Sequence, residues 1–328
     1  MKTKYGMYKQ AGFDFIERAL LNDSKQNITD MAKNFCDELE IPYTDILRRM
    51  FSNWVDAFKV KLAEKNSVKR ELFGLDGFNF NIPDGEDEIE IPEMILPKRY
   101  RKIAVISDIH LPYHDRYALV TALRDIKDIG VDAIYINGDL MDAYQLSRHE
   151  KNKLNRSFKY EVDMTRLFFE ELRKQFKEED IYYKIGNHDV RFDKYIMDNA
   201  DQLNGLITLE DVLRLRDHRV KIVQSMTKVI AGKLNILHGH ELPVKGAMNH
   251  ARAVMNKVSS NVLMGHFHRS DRSYMRDLEG DVHAVFGTGC LCKLNPKYMS
   301  INNWNHGWAL VELEKDGTFV VESKDIFI

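Results

Sequence analysis

The chain lacks what an exported or membrane-bound protein needs. Its three cysteines, Cys36, Cys290 and Cys292, are too few for a disulfide framework. The pair Cys290-Leu291-Cys292 has no second pair to complete a zinc site and reads as two small buried hydrophobes. No run approaches the ~18 consecutive apolar residues of a membrane helix. The first residues, MKTKYGMYKQAGFDF, lack the apolar core of a signal peptide. These absences predict a cytoplasmic chain with no membrane partner. Charge of one sign is also missing. Lys and Arg number 48 and Asp and Glu 50, a net of −2, so composition exerts no pull toward nucleic acid or lipid. There is no internal repeat. Histidine is absent from the first third: all 12 lie at or after position 110, which confines any imidazole chemistry to the remainder.

The histidine-free part reads as helical. Ile28, Met31, Ala32, Phe35, Cys36 and Leu39 repeat at the spacing of one helix face, and so do Leu47, Met50, Phe51, Trp54, Val55, Phe58 and Leu62. Glu40-Ile41-Pro42-Tyr43 breaks between them. Residues 1–70 therefore resemble a helix-turn-helix, with Arg48 and Arg49 placed to meet phosphates. Residues 27–65 hold six basic and seven acidic side chains, a poor footprint for DNA, so a small helical bundle stands as the alternative. Residues 71–99 hold three of the seven prolines and the acidic run Asp84-Gly85-Glu86-Asp87-Glu88, and read as a linker with room for short edge strands.

From residue 100 the pattern is strand, helix, strand. Helices are expected around 116–129 and 160–177, and a terminal hairpin turning at Lys315-Asp316-Gly317. Five short apolar runs each lead into metal-binding residue types. IAVIS leads to Asp108-Ile109-His110, AIYIN to Gly138-Asp139-Leu140-Met141-Asp142, and IYYKI to Gly186-Asn187-His188-Asp189. LNIL leads to His238-Gly239-His240, and NVLM to Gly265-His266-Phe267-His268. Such runs read as buried strands, and α/β sheets gather ligands beyond the carboxyl ends of their strands. Each motif alone is weak. Asp-x-His recurs at Asp281-Val282-His283, where no strand-end context accompanies it. The donors are carboxylate, amide and imidazole, a set that suits Mn, Fe, Zn or Ni without thiolate.

Taken in order, the five motifs resemble the calcineurin-like metallophosphoesterase superfamily over roughly residues 100–310, within an expected domain of 100–328, with a looser likeness to phage or bacterial members carrying an N-terminal helix-turn-helix-like segment. The resemblance implies an α/β fold, a sandwich of two mixed β-sheets flanked by helices. It implies two divalent metal ions, manganese first. Asp108, His110 and His268 would hold one, Asn187, His238 and His266 the other, with Asp139 bridging. Activity would be phosphoester hydrolysis by a bridging hydroxide. His188 would be the general acid, with Asp189 orienting its ring. Asp142 would stand behind the ligands, and Arg148, Arg191 and His240 would grip substrate. Ala143-Tyr144 stands where protein phosphatases have Arg-Gly, and Asn-His-Asp replaces their Asn-His-Glu. A phosphodiesterase or nuclease is therefore favoured over a phosphomonoesterase or protein phosphatase. A non-catalytic DNA-binding or scaffold protein is the reading from another class. The expected partners are a phosphoester substrate and nucleic acid, the latter through residues 27–65.

Overall fold

The computed structural model describes residues 11–13, 15–16, 19, 27–58, 91–147, 157–244, 246–296 and 299–327. The chain divides into two compact units, residues 1–87 and 88–328.

In the first unit, Asn27 caps the helix Ile28–Glu38 by accepting from the Thr29 N–H. The helix ends before Glu40, which adopts φ 53°, and Pro42 prevents its resumption. A second helix is described over residues 45–58. The faces anticipated from periodicity are buried together: Met31, Ala32, Phe35 and Cys36 of one helix meet Leu47, Phe51, Trp54 and Val55 of the other, with Ile16. Phe35 and Phe51 have ring centroids 5.3 Å apart. Arg48 is 3.8 Å from Asp45 on the exposed side.

The second unit is a sandwich of two six-stranded sheets. One contains β2 (Lys102–Ile106), β3 (Ala133–Asn137), β4 (Asp180–Lys184) and β5 (Val220–Val223), mutually parallel, then β11 (His306–Leu313) antiparallel on β2 and β12 (Phe319–Ile326) at the edge. The other runs β1-β6-β7-β8-β10-β9. Its members are β1 (Glu93–Ile95), β6 (Lys228–Ala231), β7 (Leu234–Leu237), β8 (Val262–Met264), β9 (Arg272–Arg276) and β10 (Val282–Gly287). Part of the stretch expected to be linker thus forms β1, parallel to β6. The edge strand expected around Phe78, Phe80 and Ile82 lies outside the described residues, and of the pair Ile89 and Ile91 only Ile91 is described, two residues before β1.

Strand alternation explains the layering. Ile103, Val105, Tyr135, Tyr182, Ile236, Leu263 and Phe286 point between the sheets. Ala104, Ile106, Ile134, Ile136, Ile181 and Tyr183 point outward. They pack on Leu119, Ala122 and Ile126 of the helix Arg116–Ile129, and on Phe169 and Leu172 of the helix Phe158–Gln175. Val262, Met264 and Val285 are covered by Ala251, Val254 and Met255 of the helix His250–Val258. Both faces of the central strands are therefore buried, which is why they read as continuous apolar runs. The loops after β2, β3, β4, β7 and β8 converge on one end of the sandwich, and these loops carry the five motifs.

Candidate metal centre

Backbone hydrogen bonds first lock the loops to one another. The amides of Asp108, His110 and Leu111 donate to the carbonyls of Gly138, Asp139 and Leu140 at 3.2, 3.0 and 2.8 Å. The His266 amide donates to Asp108 Oδ2 at 2.8 Å, joining the two sheets. The motif glycines permit the close approach. A Cβ at Gly186 would overlap Asp139, one at Gly265 would overlap Ser107, and one at Gly138 would overlap the His238 ring. Asp108, His110, Asp139, His266 and His268 all have φ between 50° and 67°. That left-handed region is sparsely used by residues other than glycine, and it clusters at functional sites.

The side chains then converge. Asp108 Oδ2 is taken by the Ser107 hydroxyl at 2.6 Å and the His266 amide. Its Oδ1 accepts no hydrogen bond although buried, and lies 3.2 Å from His268 Nε2. Asp139 Oδ1 accepts from the His188 amide at 2.8 Å. Asp139 Oδ2 sits between His238 Nε2 at 3.2 Å and His110 Nε2 at 3.8 Å. His238 Nδ1 lies 2.6 Å from the Asn137 carbonyl, so Nδ1 carries the proton and Nε2 faces inward, 3.2 Å from Asn187 Oδ1. His110 Nδ1 lies 3.0 Å from Asp142 Oδ1. Its Nε2 therefore presents a lone pair, 3.3 Å from His268 Nε2. Ligand atoms of Asp139, His238 and His266, and of Asp108, His110 and Asp139, fall within 4.8 Å of one another.

Electrostatics tests whether a cation fits. Burial alone would push the Asp139 carboxyl up, but the His238 and His188 imidazoles hold it well below the usual carboxylate range. Burial would likewise lower His238 and His268, yet Asp139 and Asp108 respectively raise each to about 10. The buried carboxylates thus favour positive charge beside them. Inward lone pairs, an orphaned carboxylate oxygen and oxygen and nitrogen donors together fit divalent metal ions.

The remaining expected residues fall in different places. His188 stands edge-on to His110 with centroids 4.5 Å apart. Its Nδ1 lies 3.0 Å from the Asp142 carbonyl and 3.2 Å from Asp142 Oδ1. Asp189 does not orient this ring, contrary to expectation. Its carboxylate is taken by the amides of Asp139 at 2.8 Å, Met141 at 2.9 Å and Gly186 at 2.8 Å. Asp142 is the carboxylate at the His188 ring, and it reaches His110 as well. Burial would lower the His188 pKa, but Asp139 and Asp142 raise it. Arg191 donates to the Asp142 carbonyl at 2.8 Å and lies 3.3 Å from His188 Nε2. His240 stands beside the cluster, 3.2 Å from Ser225 Oγ, and burial lowers its pKa. Arg148 lies outside the described residues. His283 pairs with Asp277 at 2.8 Å, so the second Asp-x-His is a surface contact.

Two neighbours lie outside the five motifs. Cys292, taken as an inert hydrophobe, has its Sγ 3.7 Å from His268 Nδ1. Trp304 lies over the His268 ring at 4.1 Å between centroids. No spacing rule links either to His268, because the contact is made through a loop after β10.

The model of the calcineurin-like phosphoesterase family matches residues 101–298 of the chain. The protein belongs to that family and is a hydrolase acting on phosphoester bonds. Among curated proteins it is similar to the Gene 54 protein of Mycobacterium phage L5, 24% identical over 229 residues, covering 65% of this chain and 89% of that one. Solved structures similar to it include a phosphoesterase, YfcE, from E. coli, with 15% identity, TM-score 0.33, and 69% and 100% of the two chains covered. A dimetal phosphatase from Danio rerio has 13% identity and TM-score 0.34, with 69% and 96% covered.

Proposed function

We propose that the protein hydrolyses phosphodiesters, nucleic acid foremost, with two divalent metal ions held at this centre. Asp108, His110 and His268 would hold one, Asn187, His238 and His266 the other, and Asp139 would bridge. The observation that carries this reading is the position of Asp139 Oδ2 between His110 Nε2 and His238 Nε2, one from each set. Bound ions would supply Lewis acidity and lower the pKa of a shared water. Manganese is the first candidate and iron, zinc and nickel follow, since the donors are hard to intermediate and include no thiolate.

The chain's own groups account for the rest. His188 presents Nε2 to the leaving oxygen while Asp142 holds Nδ1, which suits a general acid. Arg191 lies beside that nitrogen and would steady a phosphoryl oxygen. Asp189 ties the loops after β3 and β4 together and so holds Asp139 in place. A diester carries one negative charge and a monoester nearly two. One Arg191 nitrogen is engaged by the Asp142 carbonyl, which leaves the other for a single phosphoryl oxygen, and Ala143-Tyr144 in place of Arg-Gly supports the diester reading. Residues 27–65 are the proposed contact to nucleic acid, through Arg48 and Arg49. The free, buried thiols Cys36, Cys290 and Cys292 are consistent with a reducing cytoplasm. No helix among the described residues is long and apolar enough to cross a membrane.

The test is a substrate series with Mn²⁺: bis-p-nitrophenyl phosphate, p-nitrophenyl phosphate, and single- and double-stranded DNA. The diester should exceed the monoester in kcat/KM by about tenfold or more, a gap of ~1.4 kcal/mol in barrier. The reverse order would overturn the diesterase reading. Deleting residues 1–70 should leave the small diester untouched and weaken action on DNA.

A further inference from the structure

A buried ion pair lies behind the centre and outside every motif. Lys184, the last residue of β4, is fully buried, and its Nζ is 2.6 Å from Glu241 Oε1. The same Nζ donates to the Thr227 carbonyl at 2.6 Å. Strand alternation puts Lys184 on the face of Tyr182, between the sheets, where an apolar side chain is the default. Glu241 follows His238 by three residues. Its Oε1 accepts from the His238 amide at 3.2 Å and its Oε2 from the Gly239 amide at 2.7 Å. The pair therefore links β4, which leads into Asn187, with the backbone of the loop that carries His238. It also takes in Thr227, at the entry to β6. Those two side chains meet at 3.2 Å between Asn187 Oδ1 and His238 Nε2.

A buried ion pair of this kind adds little net stability over well-packed apolar residues, because desolvating two charges offsets their attraction. What it does add here is direction. Four hydrogen-bonding contacts in fixed geometry tie a strand of one sheet to a ligand loop of the other.

We propose that Lys184 and Glu241 are positioning residues for the metal ion assigned to Asn187, His238 and His266. They set the separation of the Asn187 and His238 donors, an inference that rests on the ligand assignment above. Ligand-orienting groups of this sort typically govern metal affinity by about 10- to 100-fold.

The experiment is Mn²⁺ binding by equilibrium dialysis and elemental analysis on the full chain, with thermal unfolding recorded alongside. Wild type should bind two ions. Glu241→Gln and Lys184→Met should each weaken one ion by about 10- to 100-fold and leave the other at its wild-type Kd. Either single variant strands a buried charge and can fail to fold, so the double variant Lys184→Met/Glu241→Met decides. It should recover the wild-type Tm and still show one weakened ion. Two ions bound at wild-type Kd in the double variant would overturn the positioning role and leave the ligand assignment standing. Fewer than two ions in wild type would overturn the ligand assignment, and this inference with it.

Discussion

The two flanks of the centre are built from similar donors but braced differently. On the Asp108 flank, side chains brace side chains. Asp142 holds the His110 ring, Cys292 stands behind His268, and Ser107 fixes one oxygen of Asp108. On the Asn187 flank the main chain does the bracing. The Asn137 carbonyl holds the His238 ring, and Glu241 grips the amides of His238 and Gly239. The first arrangement tunes each donor chemically and can be changed one atom at a time. The second sets where the loop lies, so a change there moves every donor it carries.

Asp139 belongs to both flanks, and its loss tests the comparison most severely. Asp139→Asn should lower hydrolysis by about 10²-fold or more and weaken both ions together. Undiminished hydrolysis would sink the two-metal reading. His188→Gln should keep both ions and slow turnover by about 10²-fold, most for poor leaving groups. A fall in metal content instead would place His188 among the ligands. Asp142→Asn should act on one flank alone. The ion nearest His110 should weaken by about tenfold, the ion at His238 should be unchanged, and the loss of the His188 contact should add a drop in kcat.

A separate effect concerns stability behind the Asp108 flank. Glu161 is buried under the loop after β3, where its carboxyl faces the backbone amides of Ala143 and Tyr144. Burial, and then the charge of Asp142, raises its pKa from 4.5 to about 8. Because the folded value lies above the unfolded one, its contribution to stability is complete below about pH 4.5 and is lost as pH rises through 8. Over that window the wild type should lose up to about 5 kcal/mol that Glu161→Gln does not. Parallel Tm curves for the two proteins would refute this placement of the proton.

Much of this architecture was legible in the sequence because strand and turn signals are local. Apolar runs of four or five residues marked β2, β3, β4, β7 and β8, and the glycines after them marked where backbone approaches backbone. The sites of braces were not legible. Lys184 and Glu241 stand 57 positions apart and meet only because two sheets stack in one register. Asp189 and Asp142 are both near His188 in the chain or in a motif. Which of them reaches the ring depends on where three backbone amides point, and those amides claim Asp189. Cys292 reaches His268 across a loop with no periodic pattern to announce it.

The left-handed backbone at Asp108, His110, Asp139, His266 and His268 narrows the choice of residue twice over. In the proposed centre a side chain there would have to donate to a metal and also tolerate a basin that excludes branched and bulky residues. Aspartate and histidine are among the few that satisfy both demands, because short polar side chains tolerate that region best. Glutamate at position 139 would keep the carboxylate and fail on reach and on backbone together. The same double filter explains why Asp281-Val282-His283 is inert. It has the right letters at the start of β10 itself, where extended backbone does not redirect them toward a common point.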